Sequence, residues 1–283
     1  MDVLEEMMQR MRKTHTQESS SKCLEEDKEQ CPICHGTGWE FIPDGGQGTC
    51  RVCRCGLRQR QILRDKLSFA DIPESFHSVR LADFQTEIYE RHESRGKAKT
   101  ALNAVNYWLS DFSAKQEQGI GLYLYSEAKG SGKTRMAAGI ANELVIGRGL
   151  SVKFATSLKI LDEIKASWDK QRAESESRLL SILSTAPVLV IDDFGTEQQE
   201  KPWINERFYQ IINNRYIDKK ITIFTSNTAL GALKFDERIT NRIKERTFQI
   251  PFPEESVRDI IAKDNMRKLV QGIQERAKGG TNS

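Results

Sequence analysis

The chain of 283 residues has no apolar run approaching the ~18 residues that a membrane-spanning helix needs, so no membrane partner is expected. Its opening, "MDVLEEMMQRMRKTHTQ", starts with acids and has no apolar stretch behind its basic residues. It therefore lacks the pattern of a secretory leader, and a cytoplasmic protein is the expectation. Net charge is nearly absent at +3, too little to argue for nucleic acid by itself. Cysteine is missing from everything beyond Cys55, yet six cysteines lie between Cys23 and Cys55. A disulfide scaffold would spread them through the core. A cluster in a chain expected to be cytoplasmic points to metal instead.

That cluster, "CPICHGTGWEFIPDGGQGTCRVCRC", spans Cys31 to Cys55. Cys31, Cys34, Cys50 and Cys53 form C-x2-C-x15-C-x2-C, a spacing that suits a closed tetrahedral Zn²⁺ site. Cys55 leaves the choice open, because Cys53-x-Cys55 can supply the second pair. Four of the five, Cys31, Cys34, Cys50, Cys53 and Cys55, are the expected ligands. His35 is read as a bystander, and Cys23, in a polar stretch, as a non-ligand. Upstream, Leu4, Met7, Met8 and Met11 fall at helical spacing, giving either a loosely attached helix or one that docks on a partner. Downstream, residues 51–66 carry six basic residues (Arg51, Arg54, Arg58, Arg60, Arg64, Lys66) and one acid, Asp65. A solvated helix face is the ordinary reading, and contact with DNA or an acidic partner surface is the sharper one.

From Ala101 onward the pattern alternates strand and helix. "GLYLYS" (121–126), "SVKFAT" (151–156), "PVLVIDDFG" (187–195) and "ITIFTSN" (221–227) read as strands. Residues 133–147, 157–186 and 203–217 read as helices between them, the second with a polar middle. Such alternation predicts an α/β fold with a parallel sheet covered by helices. Between the first strand and its helix lies "SEAKGSGKT" (126–134), which meets the phosphate-loop pattern G-x-x-x-x-G-K-[ST] except that Glu127 replaces the first glycine. Gly130 and Gly132 let backbone N–H groups approach phosphate, Lys133 would reach the β- and γ-phosphates, and Thr134 would place its hydroxyl on Mg²⁺. Ala128, Lys129, Gly130, Ser131, Gly132, Lys133, Thr134 and Arg135 are thus the expected nucleotide contacts. Asp192 and Asp193 end an apolar strand, where a carboxylate holds the Mg²⁺ shell. Asn227 ends another strand and is placed to orient a water, although a simple turn residue reads the same way. Arg238 and Arg242 share one helical face, either as a solvated charge row or as arginines that reach a neighbouring subunit's γ-phosphate.

Taken together, "GLYLYSEAKGSGKT", "PVLVIDDFG", "FYQIINNRYIDKKITIFTSN" and "ERITNRI" resemble the DnaC/DnaI-type helicase loaders of bacteria and their phages, over roughly residues 60–265. These are AAA+ ATPases, close to the IstB-like ATPases that assist some transposases. The resemblance implies a three-layer AAA+ P-loop domain preceded by a small zinc-binding module, with ATP, Mg²⁺ and Zn²⁺ as cofactors. It implies Asp192 as the Mg²⁺-binding acid and Asp193 as the water-activating acid. It also implies Asn227 as sensor 1, Arg242 as the arginine finger with Arg238 beside it, and Arg258 as sensor 2. The segment around 157–180 corresponds to an insertion used near single-stranded DNA, and zinc modules of such loaders often end in C-x-C, which would make Cys50 the spare. "CPICHGTG" also resembles one repeat of the DnaJ chaperone zinc domain, but a single copy does not favour a chaperone.

The expected organisation is a flexible segment 1–30, a zinc module 31–56, a basic helix and linker 57–100, an ATPase domain 101–270 and a disordered tail 271–283. The implied partners are the replicative DNA helicase, single-stranded DNA and further copies of the chain. The alternative is an ATP-gated DNA-binding adaptor or transposase helper with little hydrolysis. It is motivated by Glu127, by the basic stretch, and by Asp193, one methylene shorter than the glutamate usual in AAA+ enzymes.

Overall fold

A computed structural model of the chain describes residues 31–42, 48–59, 61–62, 70–168, 173–197 and 201–279. The chain divides into two compact units, residues 1–60 and 61–283. The expected helix around Leu4–Met11, Cys23, and Arg60, Arg64 and Lys66 of the basic stretch lie outside the described residues.

In the first unit a knuckle at Cys31–Cys34 leads into an antiparallel ribbon of β1 (Trp39–Ile42) and β2 (Thr49–Val52). Glu40 faces Arg51 across the ribbon in a two-pronged ion pair at 2.9 and 3.1 Å. Exposed as it is, the pair fixes register more than it stabilises. Trp39, Phe41 and Val52 remain exposed. Among the described residues of this unit the buried side chains are those of Cys34 and Cys53. A unit this small, without an apolar core, needs another source of cohesion.

The second unit is organised around five parallel strands in the order β4–β5–β6–β3–β7. These are β3 (Gly121–Tyr125), β4 (Val152–Thr156), β5 (Val188–Asp192), β6 (Ile221–Ser226) and β7 (Thr247–Pro251). Alternate residues along each strand feed opposite faces. Leu122, Leu124, Val188, Val190, Ile221 and Ile223 pack with Trp108 of α1 (His92–Ser110) and with Met136, Ala137 and Ile140 of α3 (Lys133–Asn142). Between these helices lies a short one, α2 (Phe112–Gln118). On the other face, Tyr123, Leu189, Ile191 and Phe224 pack with Ile160 and Ile164 of α4 (Ser157–Ala166) and Leu180 and Leu183 of α5 (Ala173–Thr185). The same layer includes Phe208 and Ile211 of α6 (Pro202–Ile217) and Ile239 of α7 (Glu237–Arg246). Both faces are covered, which is why the strands read as near-continuous apolar runs. Among the described residues no helix is long and apolar enough to cross a membrane.

Two boundaries differ from the sequence reading. Residues 57–100 were expected to be a basic helix and linker; residues 57–59 and 61–62 are helical, but Ala70, Ile72, Val79 and Tyr89 are buried in the second unit, and Asn142 Nδ2 donates to Phe76 O and Val79 O. These apolar residues sit on short 3₁₀ turns and extended backbone, so no helical or strand period announces them. The helix from Lys133 covers the expected span 133–147, its last turn being a π turn over Glu143–Gly147. Finally α8 (Val257–Gly279) runs through most of the segment expected to be a disordered tail, over good helix formers such as Lys268, Leu269, Gln271 and Gln274.

Arg215 fastens the layer over the second face. It is buried, with Nη1 donating to Leu183 O and Ala186 O at 2.7 and 2.8 Å, Nη2 to Ile221 O and Nε to Thr222 Oγ1. One guanidinium thus satisfies the last carbonyls of α5 and ties them to β6, while its burial pulls its pKa down to about 9. Arg215→Met is expected to strand those carbonyls and to lower stability by roughly 3 kcal/mol or more. A urea midpoint equal to that of the parent chain would refute this.

Candidate functional site

Beyond β3 the chain turns through residues 126–132 into α3. Gly130 (φ 77°) and Gly132 (φ 97°) adopt left-handed backbone, and a Cβ on Gly132 would lie 3.0 Å from the Tyr89 hydroxyl. The loop borders a cleft of about 460 Å³. Lys129 to Arg135, Asp193, Thr196, Asn227 and Arg258 line it. The first N–H groups of a helix lack intrahelical partners, so α3 presents donors and its positive dipole end at this loop. Lys133 is buried, and its Nζ donates to Ser126 O (3.1 Å), Ala128 O (3.0 Å) and Ser131 Oγ (3.1 Å). Burial pulls its pKa down, against the pull of Asp193, Glu254 and Asp192. An ammonium held by neutral acceptors beside an open cleft is suited to an incoming anion.

Asp192, at the end of β5, is buried, and its Oδ1 accepts hydrogen bonds from Thr134 Oγ1 (2.9 Å) and Thr225 Oγ1 (2.5 Å). Burial raises its pKa, and the two hydroxyls work against that shift. This hydroxyl–carboxylate pair offers oxygen ligands of the kind that Mg²⁺ takes. Asp193 follows in left-handed backbone (φ 53°), with its N–H donating to Thr225 Oγ1 at 3.0 Å. Thr196 Oγ1 donates to Asp193 O at 2.8 Å, and Ser157 Oγ lies 3.0 Å from that carbonyl and 2.9 Å from Glu197 Oε2. The turn therefore directs Asp193 toward the cleft that it lines.

Glu127 raised the main doubt about this loop. Its N–H and that of Ala128 donate to the Glu254 carboxylate at 3.2 and 2.9 Å. The neighbouring segment is joined to the loop at further points. Phe252 N–H donates to Tyr125 O, Ser126 Oγ to Pro253 O, and Val257 N–H to Gly130 O. This stitching sets Arg258 at the cleft. Arg238 and Arg242 do not line the cleft of their own chain; they lie on α7, each against the ring of Tyr209.

Sequence reading missed Thr225, Glu254 and Tyr89, whose hydroxyl donates to Ser131 O at 2.8 Å. It also missed a second cavity of about 230 Å³ beside the loop, lined by Phe84, Ile88, Tyr89, Gly132, Val257 and Ile261 among others. No spacing marks these residues, because they come from segments remote in sequence.

No family model matches the chain. It is 30% identical over 149 residues to the replicative helicase loader DnaC of Escherichia coli (strain K12), an alignment covering 51% of this chain and 57% of that protein. It is 23% identical over 253 residues to the phage-like element PBSX protein XkdC of Bacillus subtilis (strain 168), covering 86% of this chain and 90% of that protein. The crystal structure of DnaI superposes with a TM-score of 0.53 at 25% identity, over 64% of this chain and 94% of that one. The chain is a homologue of the DnaC helicase loaders. Its five-stranded parallel sheet and helices form the AAA+ fold of DnaC and DnaI. It spans little more than half the length of DnaC, 57%.

This DnaC homologue carries a second candidate site in its first unit. The Sγ atoms of Cys31, Cys34, Cys53 and Cys55 lie within 4.8 Å of one another, with Cys31–Cys53 at 3.7 Å and Cys34–Cys55 at 3.6 Å. Tetrahedral Zn²⁺ with Zn–S bonds of about 2.3 Å would need S···S separations of about 3.8 Å. The residues therefore fit the ion. Cys50 stands apart, exposed on β2 opposite Phe41, so the C-x2-C-x15-C-x2-C set is not the one brought together. The reason is the strand: Cys50 belongs to the ribbon, whereas Cys53 and Cys55 lie on the turn beyond it. Backbone N–H groups of Cys34 and Ile33 draw the Cys31 thiol down to about 7, while the neighbouring Cys53 thiol is pushed up to about 12, so without a cation the thiols of the cluster cannot all ionise together. Cys31→Ser, Cys34→Ser, Cys53→Ser and Cys55→Ser are each expected to lose bound zinc, and Cys50→Ser to keep one equivalent, as read by metal analysis of the purified chain. Zinc loss in Cys50→Ser alone would overturn the assignment.

Proposed function

We propose that this chain is an ATP-dependent loader that places a replicative DNA helicase on single-stranded DNA. The observation that carries the reading is a cleft that gathers the phosphate loop, Asp193, Asn227 and Arg258 on the fold shared with DnaC and DnaI. In this reading the phosphates lie on the backbone of Gly130–Thr134, with Lys133 and Arg258 on their oxygens. Thr134 and Asp192 would hold Mg²⁺, which when bound would supply positive charge against the phosphates. Asn227 orients a water and Asp193 accepts its proton as the oxygen attacks the γ-phosphorus. The bond to the β–γ bridging oxygen breaks, leaving ADP and phosphate. Arg242 of a neighbouring copy completes the site, so hydrolysis requires the oligomer. The cysteine module holds one Zn²⁺ in a structural role.

For DNA, the supporting feature lies after α4. Trp168 is 52% exposed and stands edge-on to Trp203 at 5.0 Å, with Lys165 Nζ 5.6 Å over the Trp203 ring. Exposed aromatic faces beside a cation suit unstacked bases. The second reading, an ATP-gated adaptor with little turnover, rests on aspartate at position 193, whose shorter side chain is a less well-placed base. Asp193→Ala with full biological activity would favour that adaptor.

Lys133→Ala is expected to abolish ATP binding, and pull-down with the host's replicative helicase is expected to capture it with the parent chain. Absence of any helicase capture, with and without ATP, would sink the loader reading. Trp168→Ala should weaken single-stranded DNA binding by about 1–3 kcal/mol, roughly ten- to a hundredfold, while leaving ATP affinity intact. Unchanged DNA affinity by fluorescence anisotropy would remove Trp168 from the DNA surface.

A further inference from the structure

The arginines of α7 alternate with two tyrosines of α6. Arg238 and Arg242 lie 4.7 and 4.9 Å from the Tyr209 ring centroid, and Arg242 and Arg246 lie 5.6 and 4.7 Å from that of Tyr216. The three cations are not equivalent. Arg238 is forked onto Asp236, with contacts of 2.8 to 3.2 Å, and its charge is already answered. Arg246 Nη1 donates to Gln118 O at 2.7 Å. Arg242, in the middle, also hydrogen-bonds only to neutral acceptors, and the Asp236 carboxylate reaches it through space without forming an ion pair. Its Nη2 donates to Tyr209 Oη at 3.2 Å and its Nη1 to Arg238 O at 2.9 Å, while its buried Nε, like that of Arg246, has no partner; what sets Arg242 apart from Arg246 is that it lies against both tyrosine rings. Among the described residues no ion pair engages it.

A long, flexible side chain held on two aromatic faces and one hydroxyl has lost its rotamer freedom before any anion arrives. The rack is itself anchored. Tyr209 packs against the core formed by α6 and α7, and Tyr216 Oη donates to the Glu245 carboxylate at 2.8 to 2.9 Å. We propose that Tyr209 is a positioning residue that holds the Arg242 guanidinium, outside any ion pair and preorganised, for the γ-phosphate bound by a second copy of this chain. This rests on the reading of Arg242 as an arginine that acts between copies. It also separates Arg242 from Arg238, since the charge that Asp236 neutralises is a poor donor to phosphate.

The test uses mixtures of full-length chains. Lys133→Ala subunits cannot bind ATP but still donate Arg242. Arg242→Ala subunits bind ATP but lack the donor. Mixed, they should hydrolyse ATP where neither does alone. Tyr209→Leu keeps apolar bulk, and Tyr209→Phe keeps the ring and removes the hydroxyl. Placed in the Lys133→Ala donor, Tyr209→Leu should lower kcat of the mixture about tenfold with KM for ATP changed less than about twofold, and Tyr209→Phe should recover much of the loss. Placed in the Arg242→Ala acceptor, Tyr209→Leu should leave the mixture active. If the two parent variants fail to complement, the arginine reading itself falls. If they complement and the Tyr209→Leu donor works as well as its parent, Arg242 stands and the role of Tyr209 is refuted. Equal loss with Tyr209→Leu in donor or acceptor would mark a merely structural residue and refute it too.

Discussion

One carboxylate oxygen holds the centre of this molecule together. Asp192 Oδ1 accepts from Thr134, at the start of α3, and from Thr225, in β6, while its own backbone ends β5. A carboxylate taken out of water must be hydrogen-bonded or it neutralises. Here both donors come from elements that have to be in register for the phosphate loop to keep its shape. Thr225 uses its hydroxyl twice, donating to Asp192 and accepting from the N–H of Asp193. The two acids are thereby fixed with different roles. The first is buried in the sheet, and the second is turned out through left-handed backbone into the cleft.

How much of this was legible depended on whether a feature was local. Strands β3, β5 and β6 were plain because both sheet faces are covered, so their runs are mostly apolar, and "VLVI" of β5 has no polar interruption at all. Gly130, Gly132, Lys133 and Thr134 were plain because a phosphate loop is one contiguous turn. Thr225 was not, because in sequence it is a β-branched residue in a strand, and only the parallel register beside β5 brings it to Asp192. The cysteine choice stayed open in the sequence for a similar reason. Spacing admits Cys50 or Cys55, and what separates them is which residue the ribbon holds on a strand and which it releases into the following turn. Residues 70–91 lacked any period, and their burial follows from packing against α3 rather than from a pattern of their own.

The geometry around Asp193 bears on how the site would work. Its left-handed φ is tolerated by aspartate better than by most residues. Thr196 and Ser157 converge on its carbonyl, and Glu197 sits behind Ser157. Glu197 is buried, with desolvation raising its pKa and with Oε1 unpartnered. So costly a brace is consistent with a turn whose exact placement matters, as it would for a residue that must meet a water at the γ-phosphate with a side chain one methylene short.

Glu127 belongs to the same logic. The first glycine of a phosphate loop is needed where the backbone must be left-handed or unusually close to a neighbour. Glu127 is not among the residues with positive φ, and its peptide N–H is taken by Glu254. The entry position therefore acts as an anchor rather than as part of the cradle, and any residue with an N–H can supply that. The anchor has a consequence for motion. Residues 252–257 bond to Tyr125, Ser126, Glu127, Ala128 and Gly130, so the loop and the first turn of α8 are one mechanical piece. A phosphate that shifts the loop must shift Arg258 and α8 with it, and a partner that moves α8 must disturb the loop.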